Sequence, residues 1–508
     1  MSQKEYTAIS LAKRLQRSEK IPKEWMIDLE VHEGIDPLDV PIVCGILTGA
    51  EIEITSKYDA TSLLDGLKAG TWSVEQVTTA FCKRAAIAQQ LVNCLTEIFF
   101  NEAIERARHL DKQRHACTDV KTLPPLFGLP VSLKDTFAPA TSIAAMLLDL
   151  GAILFCKTNV PQSVMTGDSH NNVSGRTLNP RNCSFTAGGS TGGEGALLAL
   201  RGSVLGVGTD IAGSIRVPCV CNGTFGMRPS VGIVPHGGTR ELSVPGTDGV
   251  RSTVGPLATT FRDCALFVRT IMQAGTWRYD SNVVSLPWRY FKPKTRLRID
   301  LVEDDGKAAH LLRMSEHVEV IPLTLPKVRY HYEDLLSYFT LPGNEHYLEQ
   351  FGRTGEPMVP SLATIGLLSQ PTSTLQGFFD LNVRRAEAAK TYLRLFLDNG
   401  LDAILMPAAP HTALPLDSWT NATYTGLWNY LDYPAAVIPV DVVTESDFVD
   451  DPNNAKYGPS DAEIYRLYTG PQHYNGLPIA VQVIGYRHQD EELIATTEML
   501  DSIINKKG

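Results

Sequence analysis

Gly188-Gly189-Ser190-Thr191-Gly192-Gly193-Glu194-Gly195 and Gly208-Thr209-Asp210-Ile211-Ala212-Gly213-Ser214-Ile215-Arg216 carry two serines, Ser190 and Ser214, in a stretch saturated with glycine. Nine of the chain's 40 glycines fall between positions 188 and 213, so the backbone there needs positive φ or close approach to other atoms. Packing alone does not impose that demand; a reaction site does. Gly188 to Gly192 formally fits G-x-S-x-G, the turn that presents a serine nucleophile between a strand and a helix. That turn needs a strand directly before the serine, yet Asn179 to Thr186 reads as a loop, and none of the twelve histidines has a context suited to a Ser-His-Asp triad.

Working outward from this stretch, Leu129-Pro130-Val131-Ser132-Leu133-Lys134-Asp135 reads as a strand that ends in lysine. A lysine carried into a dry site loses its charge by desolvation, and the neutral amine then accepts a proton. Lys134 thereby supplies a base without histidine and gives both serines a use.

Short apolar runs at 130–133, 152–156, 204–207, 403–406, 435–440 and 479–484 read as buried strands, separated by helical segments that include 143–150 and 493–504. Ser73 and Gln76 fit a capping box, and Val74, Val77, Phe81, Ala85 and Ala88 follow at helical spacing. The alternation predicts an α/β protein with a largely parallel or mixed sheet. Residues 1–58 read as an extension that wraps the body, and 59–508 as the catalytic domain. Within it, 285–375 is less periodic and reads as a variable insertion over the site.

A formal charge of -10 and a pI of 5.7 argue against a nucleic-acid or anionic-membrane binder and point to a small-molecule partner. Nine cysteines, an odd count without a C-x-x-C pair, indicate neither a disulfide framework nor a zinc site. No uninterrupted apolar run reaches the roughly 18 residues of a membrane span, and Met1 to Lys20 lacks an apolar leader core. The expectation is a soluble cytoplasmic protein that uses no metal and no organic cofactor. Its oligomeric state is left open, a homodimer included.

Three motifs in order, Pro130-Val131-Ser132-Leu133-Lys134-Asp135, Gly188 to Leu197 and Gly208 to Pro218, resemble the amidase signature family, in particular the fungal acetamidase-type amidases. The resemblance extends over most of the chain, through Lys157-Thr158-Asn159-Val160-Pro161-Gln162-Ser163 and Gly476 to Gly485. It implies the amidase-signature fold, a large mixed twisted sheet covered by helices on both faces, and hydrolysis of a carboxamide to a carboxylic acid and ammonia through an acyl-enzyme. By the same resemblance Ser214 is the nucleophile, Ser190 a bridging serine on a cis peptide after Gly189, and Lys134 the base. Backbone N–H groups of Ile211, Ala212, Gly213 and Ser214 are expected to face the oxyanion, and Met165 to wall the pocket. Glu194, Asp210 and Arg216 are read as supports for the loops and for one another.

The chain departs from that family in places. Only Thr136-Phe137-Ala138-Pro139-Ala140 links Asp135 to the next helix, where relatives carry a longer stretch, so a wall of the pocket is expected to be missing. The region 301–326 also looks shortened, with a helix of about ten residues, Lys307 to Glu316, between two strands. Ala212 stands where glycine is usual, which predicts strain if its φ is positive. The alternative reading is therefore a catalytically weak or inactive amidase-like protein. A subunit that delivers ammonia to a partner is a third.

Overall fold

A computed structural model describes residues 3–241, 246–247, 249–290, 294–302, 306–341, 343–365, 368, 372–455 and 459–505. Its strands are β1 (Leu95–Ile98), β2 (Pro130–Lys134), β3 (Ile153–Thr158), β4 (His170–Asn171), β5 (Gly175–Arg176), β6 (Leu205–Asp210), β7 (Phe225–Arg228), β8 (Thr253–Ala258), β9 (Leu297–Leu301), β10 (Val318–Ile321), β11 (Ala403–Pro407), β12 (Ala435–Val442) and β13 (Pro478–Ile484). All but the β4–β5 ribbon form one sheet in the order β1-β3-β2-β6-β8-β7-β12-β13-β11-β9-β10. The β3-β2-β6 and β11-β9-β10 segments are parallel, and the strands between them antiparallel, so the sheet is mixed.

Helices cover both faces, and the period-2 burial of the strands shows why. In β12, Ala436, Ile438 and Val440 pack with Phe261, Phe267, Leu493 and Leu500 of the helices Phe261–Gln273 and Asp490–Ile504. Val437 points the other way, to Leu198, Cys219 and Val220 of the helices Gly192–Ala199 and Arg216–Asn222. β11 repeats the alternation, with Ala403 and Leu405 in the first cluster and Ile404 and Met406 in an aromatic-rich second one.

The helix read from Ser73 spans Val74–Val92, and its capping box is complete in both directions, Ser73 to the Gln76 N–H and Gln76 to the Ser73 N–H. Val74, Val77, Phe81, Ala85 and Ala88 are all buried against the core. The six strands read from the sequence are present, with ends displaced by up to three residues. β1, β7 and β8 were not anticipated, because Leu95–Ile98 and Phe225–Arg228 are too short for alternation to register and Gly255-Pro256 interrupts the third.

The less periodic segment 285–375 holds regular elements. Its described residues contribute β9, β10 and the helices Val328–Phe339, Glu345–Thr354 and Pro360–Thr364. In Val328–Phe339 the buried stripe is His331, Asp334, Leu335 and Tyr338, so polar residues dilute the apolar period. The helix between β9 and β10 is Gly306–Met314, close to the expected Lys307–Glu316; positions 303–305 of the shortened region lie outside the described residues. The first helix, Gln3–Glu19, docks through Arg14 onto the carbonyls of Asn172 and Val173 and through Arg17 onto those of Leu95 and Asn93, the latter by its side chain. No helix among the described residues is long and apolar enough to cross a membrane.

Candidate active site

Lys134 ends β2, between the parallel neighbours β3 and β6, and is fully buried. Its Nζ lies 2.7 Å from Ser190 Oγ and 2.8 Å from Thr209 Oγ1. Burial pulls the amine down to about 7, against the charges of Asp210, Glu241 and Glu194, which favour its protonated form. An amine in that range is neutral in a large fraction of molecules at neutral pH.

Ser190 follows a cis peptide from Gly189, and the Gly189 backbone is wedged so closely that a Cβ there would sit 2.2 Å from the Thr166 carbonyl oxygen. No strand precedes Ser190, and its hydroxyl contacts lysine rather than histidine, which sets the G-x-S-x-G turn aside. Ser190, Thr209, Ile211, Ser214 and Met165 line one cavity of about 800 Å³. Ser214 is half-buried, immediately before the helix Arg216–Asn222. Met165 is held by its neighbours: Gln162 donates to Pro357 O and accepts from Val359 N–H, and Val164 adopts φ +62°, a strained value for a β-branched residue.

The loop from β6 to Ser214 is built on Asp210. Its carboxylate accepts from the N–H groups of Gly213 (2.8 Å) and Ile215 (3.2 Å), from Arg216 through Nε (3.0 Å) and Nη2 (3.1 Å), and from Asn429 Nδ2 (2.9 Å). Despite full burial these partners hold Asp210 well below the usual carboxylate range, and Arg216 is completed by Asn429 Oδ1 and Gln482 Oε1. Glu194 behaves oppositely. Burial pushes its carboxyl up to about 8, although Ser132 Oγ donates to it at 2.6 Å. The reading of Asp210, Arg216 and Glu194 as loop supports fits these contacts.

Two expectations are corrected here. Gly213 N–H is already bonded to Asp210, so it does not face the cavity as an oxyanion donor, whereas Ile211, Ala212 and Ser214 N–H have no partner among the described residues. The positive φ belongs to Gly213 (+126°), not to Ala212, so alanine at 212 is unstrained. A Cβ at 213 would meet Thr425 Oγ1 at 2.3 Å, and that hydroxyl donates to Ala212 O at 2.6 Å, clamping the loop from the helix Thr423–Leu431.

Beside the short link after Asp135, Arg240 N–H donates to Thr136 O (2.9 Å) and Ser142 N–H to Gly237 O (3.0 Å), so residues 236–241 run along the link, and His236, Gly237, Gly238, Thr239 and Glu241 line the cavity there. Within this wall, His236 Nε2 lies 2.5 Å from Ser252 Oγ and 3.0 Å from Glu241 Oε1, and Ser252 Oγ donates to Glu241 Oε1. Sequence reasoning passed over Thr209, His236, Glu241 and Ser252. Thr209 stood inside the quoted motif as a residue with a hydroxyl at a strand end; the other three carried no local signal.

The family model described as Amidase matches residues 76–141, 137–320 and 360–494, and its first two segments meet at the short link after Asp135. An amidase of Gibberella moniliformis is 34% identical over 535 residues, covering 96% of this chain and 97% of the relative. An acetamidase of Aspergillus oryzae is 34% identical over 540 residues, covering 97% of each. Among solved structures, fatty acid amide hydrolase superposes with a TM-score of 0.89 at 26% identity, covering 99% of this chain and 96% of that one. A bacterial aryl acylamidase shares the fold, with a TM-score of 0.68 at 20% identity.

Proposed function

Because the chain belongs to the amidase family, we propose that it hydrolyses a carboxamide to a carboxylic acid and ammonia, with Ser214 as nucleophile, Ser190 as proton relay and Lys134 as base. The observation that carries this reading is the 2.7 Å contact between Ser190 and a buried Lys134, whose amine burial pulls down to about 7, on the wall of the cavity that Ser214 also lines.

A neutral amine has two N–H donors and one lone pair. Thr209 Oγ1 takes one N–H, which turns the lone pair toward the Ser190 hydroxyl. As Ser214 Oγ attacks the amide carbon, its proton passes to Ser190 Oγ while the Ser190 proton passes to Lys134 Nζ. The carbonyl oxygen becomes an oxyanion, stabilised by the N–H groups of Ile211 and Ala212, a type of contact worth about 3 to 4 kcal/mol per donor. Lys134, now an ammonium, returns the proton through Ser190 to the leaving nitrogen, and ammonia departs. Water then attacks the acyl-Ser214 ester by the same relay and releases the acid.

No observation favours the inactive alternative, which rested on the short link after Lys134 and on the shortened region 301–326; residues 236–241 run along the first, and part of the second lies outside the described residues. The names of the relatives range from acetamidase to fatty acid amide hydrolase, so the shared fold does not set acyl size. A panel of primary amides assayed for ammonia tests the reading: at least one is hydrolysed by the native protein and not by Ser214→Ala. Equal ammonia release by both proteins refutes it.

A further inference from the structure

Glu194 and Asp210 are both fully buried, yet their partners differ in kind. Asp210 has Arg216 and two backbone N–H groups; among the described residues, neither an ion pair nor a backbone N–H reaches the Glu194 carboxyl. The Glu194 side chain runs from the helix Gly192–Ala199 into space that β6 leaves open at Gly206, where a Cβ would sit 2.2 Å from Glu194 Oε2. Gly206 is the cross-strand partner of Ser132, which stands two residues before Lys134 on β2 and so on the same face of that strand.

From this carboxyl three oxygen–oxygen contacts run in series: Glu194 Oε2 to Ser132 Oγ (2.6 Å), Ser132 Oγ to Ser203 Oγ (2.9 Å) and Ser203 Oγ to Leu205 O (3.0 Å). Each contact needs a proton. The two hydroxyls bring one each, and the Leu205 carbonyl brings none. If Glu194 is ionised, Ser132 donates to it, and Ser203 then serves either Ser132 or Leu205 and leaves the other pair of oxygens facing each other without a proton. A proton on Glu194 Oε2 completes the series: Glu194 donates to Ser132, Ser132 to Ser203 and Ser203 to Leu205 O. The surroundings favour that state, since burial pushes the carboxyl up to about 8. Thr158 and Lys134 act the other way, but Thr158 donates to Leu133 O (3.4 Å) and Lys134 is engaged with Ser190 and Thr209. The remaining titratable groups that feel Glu194, the thiols of Cys94 and Cys156, are pushed up by burial and stay neutral.

We propose that Glu194 is a neutral carboxylic acid in the working protein, a positioning residue whose proton locks the Ser132-Ser203 chain and holds β2 under Lys134 without setting a negative charge beside that amine. The part played at Lys134 rests on the amidase reading above. An ionised Glu194 would favour the ammonium form of Lys134 and so take base away from the relay; the proton removes that opposition.

The test uses the full chain and Glu194→Gln, in which an amide N–H replaces the acid proton toward Ser132. At about pH 7 the infrared difference spectrum, native minus variant, is expected to show the carbonyl stretch of a protonated carboxylic acid; a carboxylate band in its place overturns the proposal. Stability gives a second readout. Between the ordinary glutamate value of 4.5 and about 8 the folded chain keeps a proton that the unfolded chain releases, so the native protein loses stability relative to Glu194→Gln as pH rises through that window, and the difference then levels. A difference independent of pH there overturns the proposal. For the effect at Lys134, the midpoint of the pH profile for fluorophosphonate labelling of Ser214 stays at its native value in Glu194→Gln, because one neutral group replaces another. A fall of about one unit shows that a charge has been removed, and overturns it. Should Glu194→Gln not fold, Ser203→Ala removes the end of the chain and frees Ser132 to donate to a carboxylate, so the native-minus-Ser203→Ala spectrum shows the acid band at about pH 7; its absence overturns the proposal. Lack of turnover of any amide would refute the proposed activity, while the infrared band and the pH dependence of stability would still decide where the proton sits.

Discussion

The two ends of the cavity are built by different rules. At the reacting end, Asp210, Arg216 and Asn429 are buried and committed to one another, and the backbone of Gly189 and Gly213 is pinned where no side chain fits. At the other wall, His236 and Glu241 are partly exposed and Ser252, buried beside them, stands just before β8. The first arrangement fixes where charge develops and tolerates little change. The second carries none of the reacting groups and is less constrained, although the charge of Glu241 still favours protonated Lys134.

Ser214→Ala gives the largest expected effect, a loss of at least about 10³-fold in kcat with folding intact. If turnover persists, the reacting end has been misplaced and the contrast fails. Asp210→Asn attacks the support instead. It leaves buried Arg216 short of a charge partner and weakens the acceptor of two loop N–H groups, so a destabilisation of about 3 to 5 kcal/mol is expected in denaturant titration. By contrast, exposed ion pairs such as Arg353–Glu349 contribute about 0 to 1 kcal/mol. A small effect of Asp210→Asn would erase the distinction between the two ends.

Thr209→Val sharpens the comparison within the reacting end. It keeps the volume and removes the acceptor that orients Lys134, so kcat/KM drops by roughly tenfold while the melting temperature changes little. The smallest effect is expected for Ala212→Gly. Since Ala212 has no positive φ to relieve, glycine there costs only about 0.5 to 1 kcal/mol of backbone entropy and leaves kcat within about threefold. A clear gain in stability or rate would restore the strain that the geometry removes.

What the sequence disclosed follows the same division. Lys134, Ser190 and Ser214 stood out in the sequence because glycines crowd the two serines and a lysine ends an apolar strand; the roles proposed for them came from the family resemblance, and the structure brings Lys134 and Ser190 into contact. The sheet was legible where strands were long and apolar. Gly213 was misassigned as an oxyanion donor because nothing local tells that its N–H turns back to Asp210. The wall at 236–241 was missed, and the short link after Asp135 was read as a gap, because the hydrogen bonds Arg240 to Thr136 and Ser142 to Gly237 join segments about a hundred residues apart. Helices such as Val328–Phe339 escaped notice because their buried stripe is partly polar.

The account turns on Lys134 being neutral when it works, and that claim has a thermodynamic counterpart. Its folded pKa, about 7, lies below the ordinary lysine value of 10.5, so between these limits the unfolded chain binds more protons and stability rises with pH. Lys134→Met removes that penalty. The variant is expected to be inactive yet to melt higher than the native protein, with a gain that grows as pH falls from about 10 to about 7 and then levels.

The most direct measurement is the rate at which a fluorophosphonate labels Ser214, followed from about pH 5 to 9 in native protein and in Lys134→Met. The account predicts a native rate that rises with pH through an apparent pKa of about 7, and a variant slower by at least about 10³-fold that lacks this rise. A native rate independent of pH, or a Lys134→Met protein labelled as fast as the native one, would contradict it.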